Sequence, residues 1–177
     1  MNSATVRGAG MYNSSSSSPT LHNSVFYGNT ANGAGHDIYG DDIHTDSSHN
    51  ASDHTGGNIN ACTNFVDLTG IDPFIDSADP DGTDDILGNA DDGLVPHATS
   101  PLRDAGDNNQ NAEMNDITGG ARTLGTAIDI GAYEGQVSLS SDDPVVETTT
   151  LYPNPTSSAV NLSHATATHT NYIVCMI

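Results

Sequence analysis

Tryptophan and lysine are both absent from this chain, and cationic side chains of any kind are scarce. Its 177 residues hold 3 Lys and Arg together against 23 Asp and Glu, a formal net charge of -20 at pH 7. Nucleic acid and anionic membranes bind proteins through clustered Lys and Arg. We therefore expect neither as a partner, and we expect a surface that attracts cations.

Long apolar runs are also missing. No stretch approaches the roughly 18 consecutive apolar residues that suggest a membrane span, so no membrane insertion is expected. The opening residues MNSATVRGAGMY have neither the basic nor the apolar segment of a signal peptide, and none is expected. Cys62 and Cys175 lie far apart and outside any CxxC pattern, which leaves open whether they form a disulfide.

The first third of the chain contains an internal repeat. GAG occurs at residues 8–10 and 33–35, Met11-Tyr12 recurs as Ile38-Tyr39, and His22-Asn23 recurs as His49-Asn50, the last two at a spacing of 27. Short strands separated by Gly, Asn and Ser favour coils that stack by parallel pairing. This alignment places Asn50 above or below Asn23.

The repeat also predicts which side chains point inward and which turn the chain. The inward residues of the first coil are expected to be Leu21, Val25 and Phe26. Asn23 and Asn29 are expected at turns, where stacked Asn side chains can bond along a column. The alignment sets polar residues opposite Val25 and Phe26, which predicts a weaker second coil.

These residues carry a resemblance to a known architecture. MYNSSSSSPTLHNSVFYGNTA, followed by HDIYGDD, resembles the right-handed parallel β-helix repeats of bacterial surface proteins. The segments DPFID, SPLRDAGDN and AIDIGAYE are similar, in this order, to the end of the choice-of-anchor Q domain family. The resemblance implies an all-β fold in which residues 1–136 form the C-terminal coils of a pectin-lyase-like solenoid and an irregular capping region.

The segment DPDGTDDILGNADDG, residues 79–93, is acidic and interleaves aspartate with glycine. Calcium takes six to eight hard oxygen ligands on a flexible loop, and closely spaced aspartates around glycines supply both. The spacing differs from that of an EF-hand loop, so an acidic surface loop is the alternative. The predicted calcium ligands are Asp79, Asp81, Asp84, Asp85, Asp91 and Asp92.

Two other groups of side chains could carry chemistry. Four histidines lie among aspartates and suggest a transition-metal set, although part of this pattern follows the repeat: His36, His44, His49 and His54. Arginine occurs only at positions 7, 103 and 122. Arg122 matches a position where the related family often has arginine, and we expect it to pair with a nearby acid such as Asp104 or Glu134. No residue is assigned a catalytic role.

The end of the chain differs in composition from the rest. Residues 137–150, VSLSSDDPVVETTT, are typical of a linker. LYPNPTSSAVNL then resembles the start of the C-terminal sorting domain of the type IX secretion system, with Tyr152, Pro153, Asn154 and Pro155 as its motif. Such domains continue for several more strands. Residues 151–177 are therefore expected to be a truncated sorting domain with a partly disordered tail.

The sequence predicts a fragment of an exported, secreted or cell-surface protein whose intact parent used the type IX machinery. Its expected function is a non-catalytic surface or adhesion module, with polysaccharide and calcium as its ligands. The alternative is the C-terminal end of an extracellular polysaccharide lyase or glycoside hydrolase whose active site lies upstream. A third possibility is that the fragment does nothing alone, because its stack end is unpaired.

Overall fold

A computed structural model describes residues 1–14, 16–40, 42–54 and 56–135. Seven short strands form within them: β1 Ser3–Ala4, β2 Met11–Asn13, β3 Val25–Phe26, β4 Thr30–Ala31, β5 Ile38–Gly40, β6 Ala51–Ser52 and β7 Val66–Asp67. Three 3-10 helices occur at Gly56–Ala61, Gly82–Asp84 and Asn108–Gln110. We call residues 1–68 the repeat region, because they contain all seven strands, and residues 73–135 the closing region.

Parallel pairing at the repeat interval holds the repeat region together. Met11 pairs with Ile38 and Tyr12 with Tyr39 in the β2–β5 sheet, the two pairs that the sequence aligned. β1 and β4 pair at the same interval, and the Asn29 carboxamide oxygen accepts from the Asn2 amide at 3.0 Å. Each sheet thus places one repeat on the next.

The register shifts by one residue in the second half of the repeat. Val25 pairs with Ala51 rather than with Ser52, an interval of 26. The predicted alignment of His22-Asn23 with His49-Asn50 is therefore wrong by one residue. The reason is a connection between β5 and β6 that is one residue shorter than its counterpart. The partner of Val25 is apolar as a result.

The shift also changes the role of the asparagines. Asn23 now corresponds to His49, and both adopt left-handed backbone, with φ of 51° and 52°. Asn50 lies beside Ser24 instead of Asn23 and accepts a hydrogen bond from the Ser24 amide at 3.0 Å. Its side chain donates to the Leu21 carbonyl at 2.8 Å. Asn50 therefore bonds to the backbone of the neighbouring repeat.

Two apolar clusters form the core. Leu21 and Phe26 pack on the first, and Val25 packs on the second, so all three predicted inward residues do contact the core. The second cluster joins the two regions, because Ala51 and Leu68 of the repeat region meet Leu102 and Ile130. The buried members of the first are Ile38, Ile43, Ile59 and Cys62.

The predicted pectin-lyase-like parallel β-helix is wrong. The described residues form two sheets of two strands and one of three, not a closed or solenoid sheet. Strands of two or three residues pair only locally, and after β7 the chain continues as turns, 3-10 helices and isolated antiparallel bridges such as Phe74 with Pro96. A solenoid needs each further coil to add strands to the same sheets, and the closing region adds none.

Some predictions lie outside the described residues. The linker at residues 137–150 and the sorting domain at 151–177, with its motif residues and Cys175, belong to this part of the chain. Cys62 is buried and forms no disulfide with any of the described residues. Within the described ranges, no helix is long and apolar enough to cross a membrane.

Candidate functional site

A cleft of about 630 Å³ lies where the two regions meet. β3 and the residues around it form one wall, and residues 130–133 and parts of the 74–96 segment form the other. Four aromatic rings line the cleft: Phe26, Tyr27, Phe74 and Tyr133. The volume lies within the range of about 300–1,000 Å³ that small-molecule sites occupy.

Tyr27 and Phe74 form one aromatic edge of the cleft. Their ring centroids are 5.5 Å apart and their planes meet at 82°, an edge-to-face contact. Burial raises the pKa of the Tyr27 hydroxyl above 10, and the negative charge of Asp72 raises it further. Ser77 donates to Asp72 at 2.6 Å. This edge therefore combines apolar ring faces with a hydroxyl that stays protonated at neutral pH.

Tyr133 lines the opposite side and is anchored by a buried acid. Its hydroxyl donates to Asp92 Oδ2 at 2.6 Å. Burial and this carboxylate raise the pKa of Tyr133 to about 12. The same bond, together with the amides of Gly88 and Asn89, lowers the pKa of Asp92. Asp92 is thus held as a carboxylate by its neighbours, and it fixes the orientation of the tyrosine.

Asn23 lines the cleft and bonds to two segments of the closing region. Its carboxamide oxygen accepts from the Asp107 amide at 2.7 Å, and its Nδ2 donates to the Asp107 carbonyl at 3.2 Å. The Asn23 carbonyl accepts from the Gly131 amide at 3.0 Å. One residue of the repeat region therefore holds two segments of the closing region at a fixed distance.

The six predicted calcium ligands lie on one loop, but most of their bonds are to the loop itself. Asp91 Oδ2 accepts from the amide and hydroxyl of Thr83 at 2.9 and 2.6 Å. Asp84 Oδ1 accepts from the Ile86 amide at 2.9 Å. These bonds lower the pKa of Asp91, with the Thr83 side chain as the largest cause. The carboxylates thus act as acceptors for turns.

The other predicted calcium ligands do not converge on one point either. Asp81 and Asp85 flank the 3-10 helix Gly82–Asp84, and Asp85 takes a left-handed φ of 58°. Asp79 donates its amide to the Asp76 carbonyl at 3.2 Å. Across the described part of the chain, no three of the six bring ligand oxygens within 4.8 Å of one another. The loop stays a predicted calcium site without a preformed set of ligands.

Arg122 pairs with Glu134, as expected from the sequence. Both side chains are buried, and Arg122 also donates to the Gly131 carbonyl at 2.7 Å. Burial raises the pKa of Glu134 to about 7, and the charge of Asp129 contributes while Arg122 opposes the rise. The other candidate, Asp104, instead accepts from the Thr126 amide at 2.6 Å. Arg122 thus links Glu134 to Gly131, a residue that lines the cleft.

The four histidines separate into different environments. His44 lies beside Asp46 at 3.5 Å, and His49 bonds to Asn64 at 2.8 Å. His36 and His54 stack on each other, with ring centroids 4.6 Å apart. The sequence grouped all four, whereas the structure brings together only these two.

Scans against protein-family models, curated proteins and solved structures found no match to this chain. The two resemblances stated from the sequence therefore stay predictions. The aromatic cleft was not predicted, because its rings come from distant positions and carry no local motif.

Proposed function

We propose that this chain is a non-catalytic module of an exported, cell-surface protein and that it binds extracellular polysaccharide in the aromatic cleft. The observation that supports this proposal is the cleft of about 630 Å³ with aromatic rings on both walls. An aromatic ring presents a flat apolar face, on which the C–H face of a sugar ring packs. Hydroxyl and amide groups beside the rings provide hydrogen bonds to sugar hydroxyls.

The charge of the chain narrows the class of glycan. A formal net charge of -20 repels anionic polymers at ordinary ionic strength. Near the cleft, Asp72 and Asp92 place carboxylates behind Tyr27 and Tyr133. We therefore propose a neutral polysaccharide rather than a uronic acid polymer. Calcium is not part of this proposal, because the loop carboxylates are used within their own turns.

Isothermal titration with a panel of neutral and acidic oligosaccharides tests the proposal on the whole chain. We expect saturable binding of a neutral member. Tyr27→Ala should weaken that binding about tenfold or more, because truncating a central aromatic contact removes a large share of binding energy. Tyr27→Phe keeps the ring and should retain most of the affinity.

Tyr12→Ala is the matched control. Tyr12 is 62% exposed and stacks on Tyr39 in the β2–β5 sheet, and it does not line the cleft. Its substitution should leave binding unchanged. No binding across the panel, or binding lost in Tyr12→Ala and kept in Tyr27→Ala, would contradict the proposal. Circular dichroism of each variant verifies that it is folded.

A further inference from the structure

Two carboxylates and an imidazole converge beneath the turn that follows β3. One ligand atom from each of Asp37, Asp53 and His54 lies within 4.8 Å of the other two. His54 Nδ1 is 2.9 Å from Asp53 Oδ1 and 3.9 Å from Asp37 Oδ2. Asp53 and His54 are consecutive, and Asp37 lies 16 residues earlier, immediately before β5. The stacking of the fold therefore brings Asp37 to the other two.

The charge of this cluster is not balanced by protein groups. Asp37 is fully buried, with 0% of its surface exposed. Among the described residues, the ion pairs of both aspartates are with His54 alone. When both carboxylates are ionised, one imidazole cannot balance them, and a net negative charge remains whether the ring is protonated or neutral. Burying such a charge costs free energy unless a cation compensates it.

We propose that Asp37, Asp53 and His54 bind a divalent transition-metal cation of the zinc class. Zinc bonds nitrogen and oxygen ligands at about 2.0–2.2 Å, which sets tetrahedral ligand atoms about 3.4 Å apart. The separations of 2.9 and 3.9 Å from His54 Nδ1 bracket that value. An imidazole ligand favours zinc and its neighbours over calcium, which takes oxygen ligands.

Surrounding contacts orient all three ligands. Asn29 donates to Asp37 Oδ1 at 2.8 Å, and the Gly28 amide donates to Asp53 Oδ2 at 3.1 Å. The other oxygens, Asp37 Oδ2 and Asp53 Oδ1, face His54 Nδ1. Asp37 Oδ2 also accepts from the Ser52 hydroxyl and from the His54 amide, the latter at 3.2 Å. The ring of His36 stacks on that of His54 at 19° between planes. Such outer contacts are what positions ligands for a metal.

Calorimetric titration of the chelator-treated whole chain with Zn²⁺ tests the site. We expect one tight class of sites above a weak background from the acidic surface. His54→Gln and Asp53→Asn should each weaken the tight class at least about tenfold, the loss that even outer contacts of metal sites produce. Both residues are only partly buried, which makes them milder changes than a substitution of Asp37.

His44→Gln is the matched control, because His44 and Asp46 form an exposed histidine–aspartate pair outside the cluster. It should bind Zn²⁺ like the wild type. An absence of tight binding, or equal loss in all three variants, would overturn the proposal. If a cluster variant fails to fold, Co²⁺ added to the wild type decides. Intense visible bands of a low-coordinate site with nitrogen support it, and the weak spectrum of aqueous Co²⁺ contradicts it.

Discussion

Backbone amides find their hydrogen-bond acceptors in different ways in the repeat region and in the closing region. In the repeat region, amides bond to carbonyls of the neighbouring repeat, as Ala51 does to Ser24 at 2.9 Å and Val66 to Asn50 at 2.9 Å. In the closing region, aspartate side chains accept many of the hydrogen bonds that backbone amides donate. Asp116 Oδ1 accepts from the Gly120 amide at 2.9 Å. A chain without strands can thus still pair its amides.

This difference gives the acidic composition a structural role. Carboxylates that accept backbone bonds are favoured in the ionised form, and such bonds lower the pKa of Asp104 and Asp107. Part of the charge of -20 therefore supports the turns of the closing region. Aspartate is suited to this because its short side chain reaches an amide two residues ahead.

The largest expected effect comes from the buried ion pair in the closing region. Arg122→Leu leaves the buried Glu134 without its cation and the Gly131 carbonyl without its side-chain donor, and we expect a loss of about 3–5 kcal/mol in the free energy of unfolding. Urea denaturation measures it. Arg7→Leu removes an exposed arginine that stacks on Tyr39, and should cost at most about 1 kcal/mol. Equal losses would show that the pair does not support this region.

Close backbone approach between repeats gives the next largest effect. Gly40 has a φ of 124°, and a Cβ there would lie 1.6 Å from the Asn13 carbonyl oxygen. Gly40→Ala should cost about 2–5 kcal/mol, since a clash adds to the strain of left-handed backbone.

Gly119 in the closing region is the matched position, with a φ of 84° and no atom within 4 Å of an added Cβ. Gly119→Ala should cost only the backbone term, about 1–2 kcal/mol. Thermal unfolding of the two variants compares the terms directly. A larger loss at Gly119 than at Gly40 would mean that the repeats do not approach each other closely.

The smallest of these effects concerns a single capping carboxylate. Asp116 accepts from the amides of Thr118, Gly120 and Glu134, so Asp116→Ala removes a side-chain acceptor from three backbone donors. We expect a loss of about 2–3 kcal/mol in denaturant titration. Asp46→Ala in the repeat region, where the residue is exposed, should stay within about 0.5 kcal/mol. Similar values for both would remove the distinction between the regions.

The sequence was informative where chemistry repeats at a fixed interval. Met11 and Ile38 could be aligned because matching residues recur, and Arg122 could be assigned an acid because few cations exist. The register at Val25 was missed because a one-residue deletion leaves little trace in a Ser-rich and Asp-rich connection. The β-helix prediction extended the pattern of two repeats to residues that form no strands, since no local sequence feature marks where the strands stop.

The candidate sites were less predictable. Spacing in the aspartate-rich loop suggested shared ligands, but each carboxylate can instead bond a nearby amide, and local bonds cost less chain ordering. Asp37 and Asp53 were not singled out, because their convergence depends on how the repeats stack. The contact between Tyr27 and Phe74 likewise depends on the packing of the two regions.

Hydrogen exchange during acid titration tests the central claim most directly, namely that ionised carboxylates hold the closing region. The pKa values of Asp91, Asp104 and Asp116 lie below 3.8 in the folded chain, so their stabilisation is present above 3.8 and is lost as pH falls through the folded values. Burial raises the pKa of Asp37 in the repeat region, so its protonation acts with the opposite sign.

We therefore expect amide protection factors of Thr83, Gly120 and Ala127 to fall first on acidification. The amides of Ala51 and Val66, which bond to carbonyls of the neighbouring repeat, should stay protected to lower pH. If protection is lost first at Ala51 and Val66, or at both sets of amides together, the result would contradict the account.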